Sequence, residues 1–597
     1  MAMRERRKRI YRKRIPYGMQ NFEDVIERDC YYVDKTPFIE DIEESNMYFF
    51  YIRPRRFGKS LTLSMLENYY DINKKDKFEE IFGKLYIGEN PTPEHNKYLI
   101  IHLNFAEVDA GLDDYRKGLD AHCRIKFGSF CSVYAHLLPL GIKEELREQG
   151  GAVEQLSFLC QKVNEAGQKI YLFIDEYDNF TNLILANEEH LGRYRNQTHG
   201  EGYLRKFFNT IKGAAGGALG RVFVTGVSPV TMDDLTSGFN IGTNYSQSPE
   251  FNEMTGFTEE EVREMLGYYA GVLPFNHTVD ELIQVMKPWY DNYCFAIKRY
   301  GKTTMYNSVM VLNFIDNYIR NEYDIPDSMV ETNVRMDYEK MRMLIRHDKN
   351  FAHDASIIQE LVTKGFVTGK LKENFPAESI NDPDNFLSLL FYFGMVTIDG
   401  TYKGATKFVI PNEVVRDQMY TYLLDTYKEN DLTYDSYGKN QLESKMAFDG
   451  DYKAFFDYIA DCLKRFSSQR DKQKGEAFVH GFTLAMTSQC QFYRPISELD
   501  NDGGYADIFL APLCDIYKDM TDSYIVELKY CKSNTTDAQV QKLFGEASAQ
   551  ICRYADSDIV REAVKTTRLH KLVVIYRGVE MAVCEEVKGK EASPSYT

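Results

Sequence analysis

One stretch restricts what this chain can fold into more than any other: residues 48–68, reading YFFYIRPRRFGKSLTLSMLEN. The aromatic, apolar run 48–52 has the makeup of a buried strand. It breaks at Pro54, passes through basic residues and resumes after Ser60 with helical periodicity. Strand, loop and helix in that order, with Gly58-Lys59-Ser60 at the joint, match the end of a phosphate-binding loop. In such a loop backbone N–H groups and the helix N-terminus cradle phosphate oxygens, the lysine neutralises charge and the hydroxyl holds Mg²⁺. The full pattern asks for glycine six residues before Lys59, where this chain has Arg53. The plain alternative is a surface turn with a stray lysine, so the context has to decide.

Residues 169–178, KIYLFIDEYD, supply that context: five apolar residues end in Asp175-Glu176. A continuous apolar run suits a buried parallel strand, and α/β sheets bind ligands at the carboxyl ends of their strands. Asp175 could hold Mg²⁺, and Glu176 could orient or deprotonate the water that attacks a γ-phosphate. A further strand, 221–224, ends at Thr225, where a polar residue could sense the γ-phosphate. The nucleotide-binding set is therefore Arg56, Phe57, Gly58, Lys59, Ser60, Leu61, Asp175 and Thr225, with ATP as the nucleotide.

The stretches 15–42, 53–66, 172–180, 224–241 and 256–262 resemble the AAA-ATPase-like family, in which such a domain is commonly followed by a PD-(D/E)XK nuclease-like domain. The resemblance spans most of 15–320 and returns near the C-terminus. It implies that arginine at position 53 is usual for the family. It also implies that Asp34 or Lys35 could touch base or ribose, although Thr36-Pro37 equally suits a helix start.

At 597 residues the chain exceeds one core. Its 44% apolar and 27% charged residues are those of an ordinary globular protein. No apolar run approaches a membrane span and no signal peptide is indicated, so the expected compartment is cytoplasmic, without membrane contact. Eleven scattered cysteines, with no Cys-x-x-Cys pair, argue against a disulfide framework or zinc ribbon. A net charge of −17 excludes a surface that is basic throughout, so any nucleic-acid contact must be local. The basic head 4–14 could grip phosphates or stay a solvated tail.

Alternating strands and helices, including a strand at 98–105 and a helix at 152–165, favour a parallel sheet. The capping box Thr258-x-x-Glu261 opens a helix-rich lid. Residues 386–424 suggest a helix, a hairpin turning at Asp399-Gly400 and a return helix, roughly a winged-helix pattern. The expected fold is α/β, organised as a basic flexible arm (1–14), a P-loop ATPase core with an AAA-like parallel sheet (15–255) and a helical lid (256–325). A mixed, winged-helix-like region (326–426), a linker (427–440), an α+β restriction-endonuclease-like domain (441–584) and a flexible tail (585–597) follow.

The second chemical centre lies in that last domain. A strand entering at 503–510 carries Asp507, and a second, antiparallel to it at 523–531, carries Glu527 and Lys529 on one face because side chains alternate. A glutamate and a lysine on an otherwise apolar strand are costly to bury without partners, and Asp507 is the natural one. This resembles the D…ExK core of the PD-(D/E)XK superfamily, which implies that Asp507 and Glu527 hold Mg²⁺ or Mn²⁺ and that Lys529 positions the attacking water. Glu476 resembles an additional acidic metal ligand of some members. Gln550 and Tyr554, one helical turn apart, resemble the Gln-x-x-x-Tyr motif of nuclease domains in bacterial recombination helicases.

The sequence thus reads as an ATPase, using Lys59, Ser60, Asp175 and Glu176, fused to a metal-dependent nuclease-like domain that cleaves nucleic acid, DNA being the expected form, under nucleotide control. An arginine finger would imply a homo-oligomer. The rival reading is a nucleotide-gated switch or scaffold that binds a partner or nucleic acid without cutting.

Overall fold

Strands covered on both faces must be apolar on both, and β1 (Tyr48–Ile52) is buried at every residue in the computed structural model of the chain. The structure describes residues 12–108, 115–179, 202–230, 242–326, 328–330, 357–376, 379–380, 382–429, 432–468, 476–488, 490–501, 504–514, 516–556 and 558–587. With β2 (Leu99–Asn104), β3 (Ile170–Asp175), β4 (Leu219–Gly226) and β5 (Thr243–Asn244), β1 forms an all-parallel sheet in the order β2-β3-β4-β1-β5. The inner strands β3 and β4 are likewise buried throughout, whereas edge strand β2 alternates buried and half-buried residues. The helix Lys59–Tyr70 follows β1 directly and lays Leu63, Leu66, Tyr69 and Tyr70 on one sheet face. There Phe49 stacks on Phe223 and Tyr245, and Tyr171 on Phe173, with ring centroids 4.3–5.0 Å apart. Much of the chain's high aromatic content is spent on this core.

Three further helices, Glu259–Val272, Val279–Tyr290 and Ser308–Arg320, form the region expected as a lid. Thr258 and Glu261 make the anticipated capping box. Phe257 bridges to Tyr306 and Tyr293 to Met305, so the aromatic residues here are packing groups. The basic arm is anchored at its end: Arg12 lies over Tyr269, Lys13 over Tyr31, and the Arg14 N–H donates to Asp29 O. The rest of that arm, 1–11, lies outside the described residues.

β6 (Phe366–Gly369), β7 (Thr397–Tyr402) and β8 (Ala405–Val409) make a small sheet in the order β6-β8-β7. The β7–β8 turn is at Lys403-Gly404, not at Asp399-Gly400 as the sequence suggested. Both turn residues have positive φ (50° and 85°), the geometry whose twist suits a two-residue hairpin; Gly400 (φ 81°) instead lies at an irregularity within the strand pair.

The chain divides into two compact units: 1–324, 329–347 and 368–411 in one; 325–328, 348–367 and 412–597 in the other. The division before Asn412 differs from the linker expected at 427–440. The helix Glu413–Glu429 runs into that stretch and buries Val415, Met419, Leu423 and Tyr427 within the second unit, against the helix Glu476–Ser488.

The second unit is built on a mixed sheet, β13-β12-β11-β10-β9, comprising β9 (Tyr493–Asn501), β10 (Gly504–Pro512), β11 (Asp522–Cys531), β12 (Arg568–Arg577) and β13 (Glu580–Glu586). β10 and β11 are antiparallel, as anticipated; β11 and β12 are parallel and joined by the crossover helix Asp537–Ala555. That helix packs Val540, Ala547, Ile551 and Tyr554 against Phe509, Ile525, Val573 and Ile575. The sheet does not end at β12. Glu585 and Glu586, assigned to the tail from sequence, pair with Val573 and Leu572 as part of β13. Among the described residues no helix is long and apolar enough to cross a membrane, and all eleven cysteines are free thiols.

Candidate functional site

Parallel β1, β3 and β4 place Ile52, Asp175 and Gly226 together at the carboxyl ends of the strands, where the loop leaving β1 begins. Its left-handed residues are Arg56 (φ 68°) and Gly58 (φ 88°); Arg53 has none of that geometry. Arg53 instead turns inward, 1% exposed, donating to the carbonyls of Ile52, Ser246 and Phe251 at 2.6–3.0 Å. Its guanidinium lies 4.3 Å from the ring centres of both Tyr51 and Phe295. The cation that replaces the motif's glycine thus fastens the loop to the core. It is not offered to phosphate.

The loop borders a cavity of about 820 Å³, lined by Arg56, Phe57, Gly58, Lys59, Ser60 and Leu61 on one side and by Asp175 and Glu176 on another. The Phe57 ring itself is buried edge-on against Tyr293 and Phe295. Lys59 donates to the Arg53 and Pro54 carbonyls at 3.0 Å each, leaving one ammonium hydrogen for the cavity. Burial pulls its pKa below the ordinary lysine value against the nearby carboxylates Glu176 and Asp175. The Ser60 hydroxyl donates to Asp175 Oδ2 at 3.0 Å, while Asp175 Oδ1 accepts from the Glu176 N–H at 2.8 Å. A hydroxyl and a carboxylate so placed are the hard oxygen donors that magnesium takes, so these residues fit the ion.

Thr225 behaves differently from expectation. Its hydroxyl donates to the Tyr51 carbonyl at 2.6 Å inside the sheet, and it is not among the residues lining the cavity. Lys35 does line the cavity but is held by Glu261 at 2.7 Å and by the Glu253 carbonyl, and Asp34 caps Thr36 and the Tyr86 N–H.

In the second unit the ladder between β10 and β11 runs from Leu510–Tyr524 to Ile508–Val526 and stops. At the fork, Asp507 Oδ2 accepts the Leu528 N–H at 2.7 Å, doing the work of the missing rung. Glu527, 1% exposed, meets Lys529 Nζ at 2.6 Å, and Lys529 lies 3.9 Å from Asp507. Glu527 and Lys529, placed on one face by strand alternation, therefore converge with Asp507, their expected partner. Glu527 Oε2 is buried without a hydrogen-bond partner, an orphaned acceptor beside a second carboxylate. Burial, then the Asp507 charge, raises Glu527 to about 7. Although burial acts against it, Asp507 and Glu527 hold Lys529 above the ordinary lysine value. Tyr554 is buried beside Ile525, on the face of β11 that carries Glu527, with its pKa raised by burial first and the Glu527 charge second; Gln550 lies one turn earlier, half-buried. Glu476 opens its helix, but its side chain is outside the described residues. Among those residues no cluster of three or more metal-binding side chains occurs. The fit to a divalent ion rests on the Asp507–Glu527 pair and the orphaned Oε2.

Residues 16–236 match the family model for a predicted AAA-ATPase, and residues 474–586 match that of the PD-(D/E)XK nuclease superfamily. The chain joins an AAA-ATPase-like domain to a PD-(D/E)XK superfamily domain. It is 27% identical over 288 residues to an uncharacterized protein in the vnfD 5′ region of Azotobacter chroococcum mcd 1, covering 47% of this chain and 49% of that protein. The chain thus spans about half the length of that curated relative. Among solved structures, Cdc6p from Pyrobaculum aerophilum aligns at 14% identity over 70% of this chain and 97% of its own, with a TM-score of 0.26. The ORC2 protein of Aeropyrum pernix aligns at 9% identity over 65% and 93%, with a TM-score of 0.27.

Sequence reasoning missed two features of these domains. In the ATPase-like domain the cavity is also lined by residues 16–20, 31–33, 255–257, Ser308, Val309 and Leu312, none of which was given a site role from sequence. Asp178 was also overlooked. It is fully buried and accepts the N–H groups of Val227 and Ser228 at 2.7–3.2 Å, tying the segment after β3 to the one after β4. A third acidic residue in Asp175-Glu176-Tyr177-Asp178 was its only signal.

Proposed function

We propose that this chain binds and hydrolyses ATP at the cavity beside Gly58-Lys59-Ser60 and cleaves nucleic-acid phosphodiester bonds at Asp507, Glu527 and Lys529, the first activity controlling the second. The observation that carries the reading is Glu527, a buried carboxylate with one orphaned oxygen, held between an acid and a lysine. A purely structural strand has no reason to keep such a group.

In the ATPase-like domain, Lys59 would exchange its loop carbonyls for phosphate oxygens, gaining charge-assisted bonds where it now has neutral acceptors. Glu176, beyond Asp175 at the cavity wall, would accept a proton from the attacking water. Magnesium, when bound at Ser60 and Asp175, would neutralise developing phosphate charge. In the nuclease-family domain Asp507 and Glu527 would hold a divalent ion, Mg²⁺ or Mn²⁺, which lowers the pKa of water and stabilises negative charge. Lys529 would then orient the nucleophilic water and face the charge that grows on the phosphate. Nucleic acid, with DNA the expected form, is the partner this chemistry calls for, and a second copy could contribute an arginine at the nucleotide.

The test is cleavage of plasmid and single-stranded DNA by the purified chain with Mg²⁺ or Mn²⁺, with and without ATP, beside Lys529→Ala and Lys59→Met. Cutting that is lost in Lys529→Ala supports the nuclease. Rates indifferent to ATP and to Lys59→Met remove nucleotide control. No cutting by protein that still hydrolyses ATP leaves the nucleotide-gated switch.

A further inference from the structure

We propose that Arg553 is a phosphate-binding residue of the nuclease-family centre, gripping the backbone of a nucleic-acid strand beside the Asp507–Glu527 pair. The inference rests on the nuclease reading and names the contact by which that site would hold its substrate. The helix Asp537–Ala555 fixes the position: Val540, Ala547, Ile551 and Tyr554 anchor it to the sheet, and Arg553 stands next to Tyr554 and one turn from Gln550. Tyr554 packs in one cluster with Ile525, which shares its face of β11 with Glu527 and Lys529, so the end of the helix that carries Arg553 covers that face; the Arg553 charge accordingly acts on Glu527 and Tyr554. Yet Arg553 is exposed and has no hydrogen bond or ion pair among the described residues. Lys529, the other cation of the centre, is occupied by Glu527 and Asp507.

Charge makes such a group necessary. From Gln441 onward there are 20 lysines and arginines against 24 aspartates and glutamates, a net of −4. A polyanion approaching two carboxylates in a domain of that sign needs a focused cation, and a guanidinium can present a planar fork to phosphate. The competing role is favourable charge at a helix C-terminus, since Arg553 lies in the last turn. That role predicts a small loss of stability and no change in strand binding.

The experiment uses the full chain carrying Lys529→Ala, so that the probe survives, and measures fluorescence anisotropy of a labelled oligothymidine across a salt series. Adding Arg553→Ala should weaken binding about tenfold and lower the slope of log K against log salt by about 0.7, the contribution of one phosphate contact on a single strand. Arg553→Lys should restore the slope. Affinity and slope unchanged by Arg553→Ala, or a parent that does not bind the strand at all, would overturn the proposal. If the unsubstituted chain cuts no substrate while the slope still falls with Arg553→Ala, the nuclease reading fails and the Arg553 contact stands.

Discussion

Restoring the consensus glycine at position 53 should damage this protein. A reading of the motif alone expects Arg53→Gly to repair the loop. The structure expects the opposite, because position 53 is not left-handed and its side chain is 1% exposed, between Tyr51 and Phe295. Emptying that slot removes a large buried side chain, a loss of about 3–5 kcal/mol. The Ser246 carbonyl loses its donor, which costs about 1–3 kcal/mol, whereas Phe251 O keeps the Tyr51 hydroxyl at 3.1 Å. Backbone freedom at glycine adds about 1 kcal/mol. Against these, the guanidinium no longer has to be held out of water, a relief of several kcal/mol. The net expectation is a destabilisation of about 3 kcal/mol. Trp289, the chain's single tryptophan, lies in the helix Val279–Tyr290 of the same unit, so its fluorescence during urea unfolding follows that unit alone. A variant whose midpoint equals or exceeds that of the parent, with ATP binding intact, would refute the argument.

Other expectations can be checked with the same protein. Lys59→Met should lose at least 100-fold in affinity for a fluorescent ATP analogue while changing the urea midpoint little, because the loss of two hydrogen bonds to carbonyls is offset by removing a buried cation. Glu527→Gln should abolish divalent-ion uptake in calorimetry and change the stability of the second unit little, since losing the charge that pairs with Lys529 at 2.6 Å opposes the relief of a buried carboxylate whose Oε2 has no partner. Burial, then the Glu176 charge, lifts Asp178 from 3.8 to about 7, so the folded chain keeps a proton that the unfolded chain releases. That stability is full below about pH 4 and is lost as pH rises through 7, by at most about 4 kcal/mol at about 1.4 kcal/mol for each factor of ten in proton affinity. Asp178→Asn should flatten the decline of Trp289-detected stability between about pH 4 and 7, at about the same scale; a slope equal to the parent's would count against it.

Much of both centres was legible because it is written locally. Strand-loop-helix texture located Lys59 and Ser60, an apolar run located Asp175, and simple alternation put Glu527 and Lys529 on one face. What stayed hidden depends on partners distant in the chain. Nothing near Arg53 announces Ser246, Phe251 or Phe295, so its inward turn could not be read from the loop. Thr225 has the right strand position, but its rotamer answers to the Tyr51 carbonyl. β9 was missed because it carries Arg494, Pro495, Ser497, Glu498 and Asp500; as an edge strand it tolerates both proline and charge. At β7–β8 the stronger local turn signal, Asp-Gly, was absorbed as an irregularity while Lys-Gly made the turn, a choice set by strand register.

The fork between β10 and β11 gives the second centre a built-in reporter. Asp507 Oδ2 accepts from the Leu528 amide, so an ion on this oxygen draws on the same lone-pair density and weakens the bond, whereas one seated on Oδ1 can leave it intact. Hydrogen exchange at that single amide would therefore distinguish the two modes of coordination without any turnover. The same bond warns against Asp507 as the residue to disable in a control protein, since its loss would fray the sheet as well as silence the site, and makes Lys529 the cleaner choice.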